Sequence, residues 1–188
     1  MENKKLAIFV SGTGSLLEAM LEQGLKVDLV LADRPCRGID EVAKKYNVPT
    51  EMVSRSDFKP FDREKFTEKI IEILDKNRID LVAMAGFMTI LSPIIFEKYK
   101  NRILNSHPSL LPLFKGDNAV ADALANGNPL TGTTIHIATE KLDDGEFLAQ
   151  EQVLILPEDT IESLHERIKQ VERVLYPKVI RDYILKIN

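Results

Sequence analysis

The sequence predicts an α/β protein built on an open, mostly parallel twisted sheet with helices on both faces and an antiparallel addition in the C-terminal half. In the first 100 residues, apolar runs of strand length alternate with helical segments. The runs at 6–10 and 81–85 are apolar at every position, as in strands that are buried on both faces. Beyond residue 103 the pattern changes, and the segments at 131–139 and 148–156 are expected to pair antiparallel.

Each element of the first half follows from its residue pattern. Glycines in the turn at 11–14 end the first strand, and apolar residues at helical spacing follow it. The clearest amphipathic helix carries Phe66, Ile70, Ile73 and Leu74 on one face. The predicted elements are strands at 6–10, 27–32, 49–53 and 81–85, and helices at 15–22, 39–46 and 62–77.

The second half begins with a strand at 103–107 that turns polar at its end, followed by a Pro-rich loop and a helix at 118–125. A long terminal helix opens at Thr160, the expected N-cap, with Ser163 at the capping-box position. Pro177 is expected to kink or break that helix. Since no repeat or linker divides the chain, we expect one domain over 1–188, with halves at 1–100 and 101–188.

Composition excludes several classes of function. A net charge of −4 gives no electrostatic footprint for nucleic acid or for an anionic membrane, so neither partner is expected. No stretch has the apolar length of a membrane span or a secretory signal. Cys36 is the only cysteine, which rules out a disulfide framework and favours a reducing, cytoplasmic setting with an inert thiol.

The first strand ends in a turn suited to an anion. Gly12, Thr13, Gly14 and Ser15 lead into a helix N-terminus, where backbone N–H groups and the helix dipole favour a phosphate. The turn lacks the Gly-Lys of a P-loop and the third glycine of a dinucleotide fingerprint. Taken alone, a plain strand-to-helix turn explains it about as well.

A second polar strand end carries Asn105 and His107, which alternate and can therefore share one face. A donor amide beside an imidazole suits a reaction that develops an oxyanion, and Asp143 lies in a later turn that could present a carboxylate. A buried structural histidine and ordinary turn residues remain alternatives. A metal site from His107, His136 and Asp143 lacks ligand spacing, so no metal is expected.

Three motifs together resemble the folate-dependent formyltransferase superfamily. They are Asn-Ser-His-Pro-Ser-Leu-Leu-Pro at 105–112, Ala-Gly-Phe-Met-Thr-Ile-Leu-Ser-Pro at 85–93, and Leu-Asp-Asp-Gly at 142–145. The resemblance runs from Ser11 to Pro177 and is closest to the branch that formylates glycinamide ribonucleotide in purine biosynthesis. It implies a Rossmann-like formyltransferase fold, with a phosphate-binding first half and a catalytic, folate-binding second half. Members occur as monomers or homodimers.

The resemblance also implies roles for individual residues. Asn105, His107 and Asp143 match the catalytic triad, and the co-substrate would be 10-formyltetrahydrofolate. The turn at 12–15 would hold the substrate phosphate, and Glu172 would receive the glycinamide end. Asn105 would also contact the folate, whose remaining contacts would come from Arg63, Met88, Thr89, Ile90 and Leu91.

Departures from the family pattern bear on the substrate more than on the reaction. Leu16 stands where many members have asparagine, Lys115 and Asn118 replace a proline and a histidine, and Asp144 and Glu146 differ from a common Asp-Gly-Gly-Pro. A formyltetrahydrofolate hydrolase, a transferase acting on another amine, and a non-catalytic nucleotide-binding protein therefore remain alternatives. A tRNA-directed formyltransferase would need a further C-terminal domain and a basic surface.

Overall fold

The computed structural model describes residues 4–187, and a single seven-stranded sheet organises them. The strands are β1 (Leu6–Val10), β2 (Leu29–Ala32), β3 (Thr50–Met52), β4 (Leu81–Met84), β5 (Ile103–His107), β6 (Leu130–Ile137) and β7 (Phe147–Leu154). Their order is β3-β2-β1-β4-β5-β6-β7. Pairing is parallel from β3 to β5 and antiparallel from β5 to β7, which confirms the predicted fold class.

Helices cover both faces of this sheet. They are α1 (Ser15–Glu22), α2 (Arg63–Asn77), α3 (Pro93–Lys98), α4 (Ala119–Asn126) and α5 (Ile161–Ile184). Alternate residues of β1 point to opposite sides: Ile8 packs in a core with α1 and α5, whereas Phe9 packs in a second core with α2 and α3. Each core is built from the apolar strand residues that the sequence predicted to be buried.

Two local features differ from the sequence prediction. The segment expected to be a helix at 39–46 begins as a π-helix over Gly38–Ala43, and α3 was not predicted. Ser92 precedes α3 and Pro93 opens it, a position at which the missing proline N–H costs no helical hydrogen bond. The capping box predicted at Thr160 and Ser163 is present.

The expectation of a break at Pro177 is wrong, because α5 continues to Ile184. A proline in a helix leaves the carbonyl four residues earlier without its donor, which here is that of Arg173. The side-chain amide of Gln23 donates to the Arg173 carbonyl at 2.6 Å, and Arg181 in turn donates to the Gln23 carbonyl at 2.6 Å. The end of α1 thus supplies the hydrogen bond that the proline removes. No helix within residues 4–187 combines the length and apolar character needed to cross a membrane.

The strand order reverses between β1 and β4: from β1 the sheet continues through β2 to β3 on one side, and from β4 through β5 to β7 on the other. In open α/β sheets, ligands bind outside the carboxyl ends of the strands at this reversal. The loops after the two strands are joined there, since the Met88 backbone N–H donates to the Ser11 hydroxyl at 2.8 Å. The predicted phosphate turn follows β1, the predicted folate segment at 88–91 follows β4, and Asn105 and His107 end β5, so these residues lie along this edge.

Candidate active site

The predicted trio comes together at the ends of β5 and β6. Antiparallel pairing sets His136 opposite Asn105, and Thr134 opposite His107. The amide nitrogen of Asn105 lies 3.3 Å from His136 Nε2. An amide nitrogen carries two N–H donors and this contact uses one at most, so at least one remains for a ligand.

Asp143 lies between the two imidazoles. Its Oδ2 is 3.4 Å from His107 Nδ1, and its Oδ1 is 3.6 Å from His136 Nε2. All three side chains are buried. Burial alone would raise the pKa of Asp143, but the His136 imidazole, the Gly116 N–H and the neighbouring His107 outweigh it and hold the pKa of this carboxyl below its usual value. Asp143 is therefore ionised at neutral pH.

Both ring nitrogens of His107 face oxygen atoms. Nδ1 faces Asp143 Oδ2 at 3.4 Å, and Nε2 lies 2.7 Å from the backbone carbonyl of Phe114. An imidazolium has two N–H donors and no acceptor, so the arrangement satisfies both donors of the charged ring. The geometry suits a histidine that donates from Nε2 while a carboxylate supports Nδ1.

The loop after β5 clasps these residues through three consecutive positions. Phe114 offers its carbonyl to His107, Lys115 forms an ion pair with Asp144, and the Gly116 N–H donates to Asp143 Oδ2 at 2.9 Å. The turn itself depends on left-handed backbone, with φ of 53° at Phe114 and 89° at Gly116. Two of the family departures, Lys115 and Asp144, thus pair with each other.

The predicted phosphate-binding turn is open to solvent and firmly braced. Gly12 and Thr13 are exposed, and no side chain caps the first turn of α1. Gly14 has φ of 69°, and a Cβ there would lie 2.6 Å from the Gly38 Cα, so only glycine fits. Arg37 donates to the Thr13 carbonyl at 2.9 Å. Free N–H groups at this helix terminus suit an anion.

The residues predicted to bind folate divide into two groups. Met88 and Ile90 are about 60% exposed, whereas Thr89 and Leu91 are buried. The Thr89 hydroxyl donates to Asp33 at 2.5 Å, and this contact holds the 88–91 segment against the loop that follows β2. Within residues 88–91, therefore, Met88 and Ile90 are the two that present side chains to a ligand.

Arg63 lies on the first turn of α2, separate from the trio. It borders a surface cleft of about 940 Å³ that also includes Phe58, Phe61, Ser92 and Pro93. Because Ser92 directly follows the 88–91 segment, the cleft extends that segment. Its lining does not include Asn105, His107 or Asp143. An extended ligand could run along both.

Glu172 lies on the opposite side of the sheet from the His107 side chain. It belongs to α5, is buried, and accepts a hydrogen bond from the Thr133 hydroxyl at 3.0 Å. Burial raises its pKa to about 7, against the opposing effects of Thr133, Lys169 and Ser106. The strand end at 105–107 is thus flanked by the imidazole and Asp143 on one face and by a second carboxyl on the other.

Sequence reasoning missed the contribution of His136 and Thr133. His136 was considered only as a metal ligand, and its contact with Asn105 depends on the register between β5 and β6. The described residues contain no group of three His, Cys, Asp or Glu suited to a metal ion.

The profile of the formyl transferase family matches residues 4–180. This chain belongs to the formyl transferase family. A phosphoribosylglycinamide formyltransferase of Mycobacterium tuberculosis (strain CDC 1551 / Oshkosh) is 41% identical over 176 residues, covering 91% of this chain and 80% of that protein.

Two further similarities come from a multifunctional protein and a solved structure. The human trifunctional purine biosynthetic protein adenosine-3 is 36% identical over 189 residues, covering 96% of this chain. The chain spans only 13% to 18% of the length of such trifunctional relatives. The crystal structure of glycinamide ribonucleotide transformylase 1 from Symbiobacterium toebii superposes with a TM-score of 0.91 at 33% identity, covering 96% of this chain and 87% of that one.

Proposed function

We propose that this protein transfers the formyl group of 10-formyltetrahydrofolate to the amine of glycinamide ribonucleotide in de novo purine biosynthesis. The observation that carries the proposal is the arrangement of half-buried Asn105 with buried His107 and Asp143 at the carboxyl edge of the sheet. The relative at 41% identity is named a phosphoribosylglycinamide formyltransferase, which supports this acceptor, and the name of the relative at 36% identity supports a role in purine biosynthesis.

The reaction needs no nucleophile from the protein. The substrate amine attacks the formyl carbon and forms a carbon–nitrogen bond, which places negative charge on the formyl oxygen. The free N–H of the Asn105 amide and the Nε2–H of His107 would donate to that oxygen. In the structure this Nε2 faces the Phe114 carbonyl at 2.7 Å, so its hydrogen bond would pass from that carbonyl to the oxyanion.

Collapse of the intermediate breaks the bond between the formyl carbon and the folate nitrogen. The attacking nitrogen loses a proton and the leaving folate nitrogen gains one, so a relay between them suffices. Ionised Asp143 would stabilise the charged form of His107. It would also take part in this proton transfer, either directly or through water. Its lowered pKa keeps it in the ionised form at neutral pH.

The two substrates would approach the strand end from different directions. The phosphate of the ribonucleotide would bind at Gly12 to Ser15, and its glycinamide end would meet Glu172 on the α5 side. The folate would lie across Met88 and Ile90, with its tail toward Arg63. The first half, 1–100, would then be the phosphate-binding part of one domain, and the second half, 101–188, its catalytic part. A cytoplasmic location stays a prediction from composition.

A single assay separates this function from its alternatives. The protein is mixed with 10-formyltetrahydrofolate, with and without glycinamide ribonucleotide, and release of tetrahydrofolate is followed. Turnover only when the amine is present supports the transferase. Equal turnover in its absence would instead identify a hydrolase, and no turnover under either condition would refute both activities.

A further inference from the structure

The hydroxyl of Thr133 lies between two oxygens on the α5 side of the sheet. Its Oγ1 is 3.0 Å from Glu172 Oε1 and 3.2 Å from the backbone carbonyl of His107. Thr133 is fully buried, so its hydroxyl is isolated from bulk solvent. A hydroxyl carries one hydrogen, and it can therefore donate fully to only one of these oxygens at a time.

The His107 carbonyl has an alternative donor, whereas the Glu172 carboxyl has few donors other than Thr133. The His107 carbonyl also accepts the Ser109 N–H at 2.8 Å. Around the Glu172 carboxyl, β5 and β6 contribute the neutral hydroxyls of Ser106 and Thr133, while the main charges, Lys169 and Arg173, come from its own helix. The buried phenol of Tyr176, one turn further along α5, also faces this carboxyl and stays neutral, since its pKa is raised.

The direction of the Thr133 hydroxyl follows from the protonation of Glu172. An ionised carboxylate only accepts hydrogen bonds, so Thr133 must donate to it and turn away from the His107 carbonyl. A protonated carboxyl can donate to Thr133 Oγ1, and the hydroxyl then donates to the His107 carbonyl. Both arrangements satisfy the buried groups with the same atoms and differ by one proton.

We propose that Thr133 is a positioning residue whose hydroxyl orients the ionised Glu172 carboxylate toward the amine substrate and links its protonation to the main chain of His107. With Oε1 held by Thr133, Oε2 is left to accept an N–H of the substrate. The inference rests on the proposed function for the identity of that substrate, but not for the hydroxyl switch itself. It assigns to Thr133 a role that neither the catalytic trio nor the folate segment covers.

Thr133→Val tests the proposal because valine keeps the shape and removes the hydroxyl. A hydrogen bond to a charged group corresponds to roughly tenfold or more in an equilibrium constant, so KM for glycinamide ribonucleotide should rise about tenfold, with kcat and the folate KM changed much less. The acid limb of the pH profile of kcat/KM for this substrate should move to higher pH, since loss of the donor disfavours ionised Glu172.

The chain offers a matched control in Thr131, which lies two residues earlier on the same face of β6. It is equally buried, and its hydroxyl has no hydrogen-bond partner among the described residues. Thr131→Val should leave the acid limb and the KM unchanged, and Thr133→Ser should restore both toward the parent values. An unmoved limb in Thr133→Val, an equal shift in Thr131→Val, or no rescue by serine would overturn the proposal.

A second measurement does not depend on turnover. In protein labelled with ¹³C at the glutamate carboxyl groups, the signal that disappears in Glu172→Gln identifies Glu172, and its titration is followed directly. Thr133→Val should move this titration to higher pH and Thr131→Val should not. If the titration of Glu172 moves in Thr133→Val but the parent protein has no formyl-transfer activity, the role of the Thr133 hydroxyl stands and the proposed reaction is rejected. If the titration does not move but the parent protein is active, the proposed reaction stands and the role of the Thr133 hydroxyl is rejected.

Discussion

The contact between Asp143 and His107 allows the sharpest test of the catalytic assignment. Asp143→Asn removes one negative charge with almost no change of shape. The amide oxygen of the new side chain can still accept the Gly116 N–H, and asparagine tolerates the φ of 52° found at this position. The loop and the turn should therefore remain in place, and the loss should fall on the charge alone.

The separation of 3.4 Å between Asp143 Oδ2 and His107 Nδ1 sets the expected size of the effect. Two unit charges at this distance attract by about 5 kcal/mol at an effective dielectric constant of about 20. If that attraction supports the charged imidazole in the transition state, its loss lowers kcat by roughly 10³-fold. KM for both substrates should change much less, because the carboxylate is buried behind the histidine.

The assay is steady-state release of tetrahydrofolate near neutral pH, with thermal unfolding as the check on folding. The matched control is Asp144→Asn, which removes the neighbouring charge. Asp144 is exposed and pairs with Lys115 on the surface, where such pairs contribute about 0 to 1 kcal/mol, so its activity should stay within about tenfold of the parent. Near-parental kcat in Asp143→Asn, or an equal loss in Asp144→Asn, would refute the reasoning.

Three further predictions concern other parts of the site. His107→Ala should abolish measurable turnover while circular dichroism stays unchanged; a variant that retained near-normal rates would remove His107 from the mechanism. In the parent protein, the free energy of unfolding should fall as the pH rises from about 4.5 to 7, because a carboxyl whose pKa is raised to about 7 costs the folded state up to about 3 kcal/mol once it is ionised. Glu172→Gln should abolish this fall. Urea unfolding at several pH values measures it, and the same dependence of the unfolding free energy on pH in both proteins would contradict it. Gly14→Ala should weaken binding of the phosphate-bearing substrate at least tenfold, since its Cβ would displace the backbone at Gly38; calorimetric titration with unchanged affinity would count against the turn as the phosphate site.

Much of the site was predictable because it follows from local periodicity. Alternation along one strand was enough to place Asn105 and His107 on a common face. The position of Asp143 was not local, since it depends on a turn 36 residues beyond His107, and only the motif resemblance supplied it. The structure then brings its carboxylate to 3.4 Å from the imidazole.

The residues that were missed depend on registers and packing between distant elements. His136 meets Asn105 only because β6 pairs with β5 in one particular antiparallel register. Thr133 meets Glu172 only because α5 packs over the opposite face of that strand. The break considered at Pro177 does not occur for a similar reason, because the hydrogen-bond donor that compensates for the proline comes from the end of a helix some 150 residues earlier in the chain.

The contact between Gln23 and the Arg173 carbonyl has a consequence for the size of molecule that the protein accepts. The first helix, α1, presents the predicted phosphate-binding turn at one end, and at its other end Gln23 is hydrogen-bonded to the carbonyl of Arg173 in α5, next to Glu172. On the proposed function, the two points that would bind opposite ends of the ribonucleotide therefore belong to helices that are joined by hydrogen bonds between Gln23 and α5. If both sites bind as proposed, we expect the protein to discriminate by length: a molecule with the same phosphate and amine, but with a longer or shorter spacer, would engage one end and miss the other.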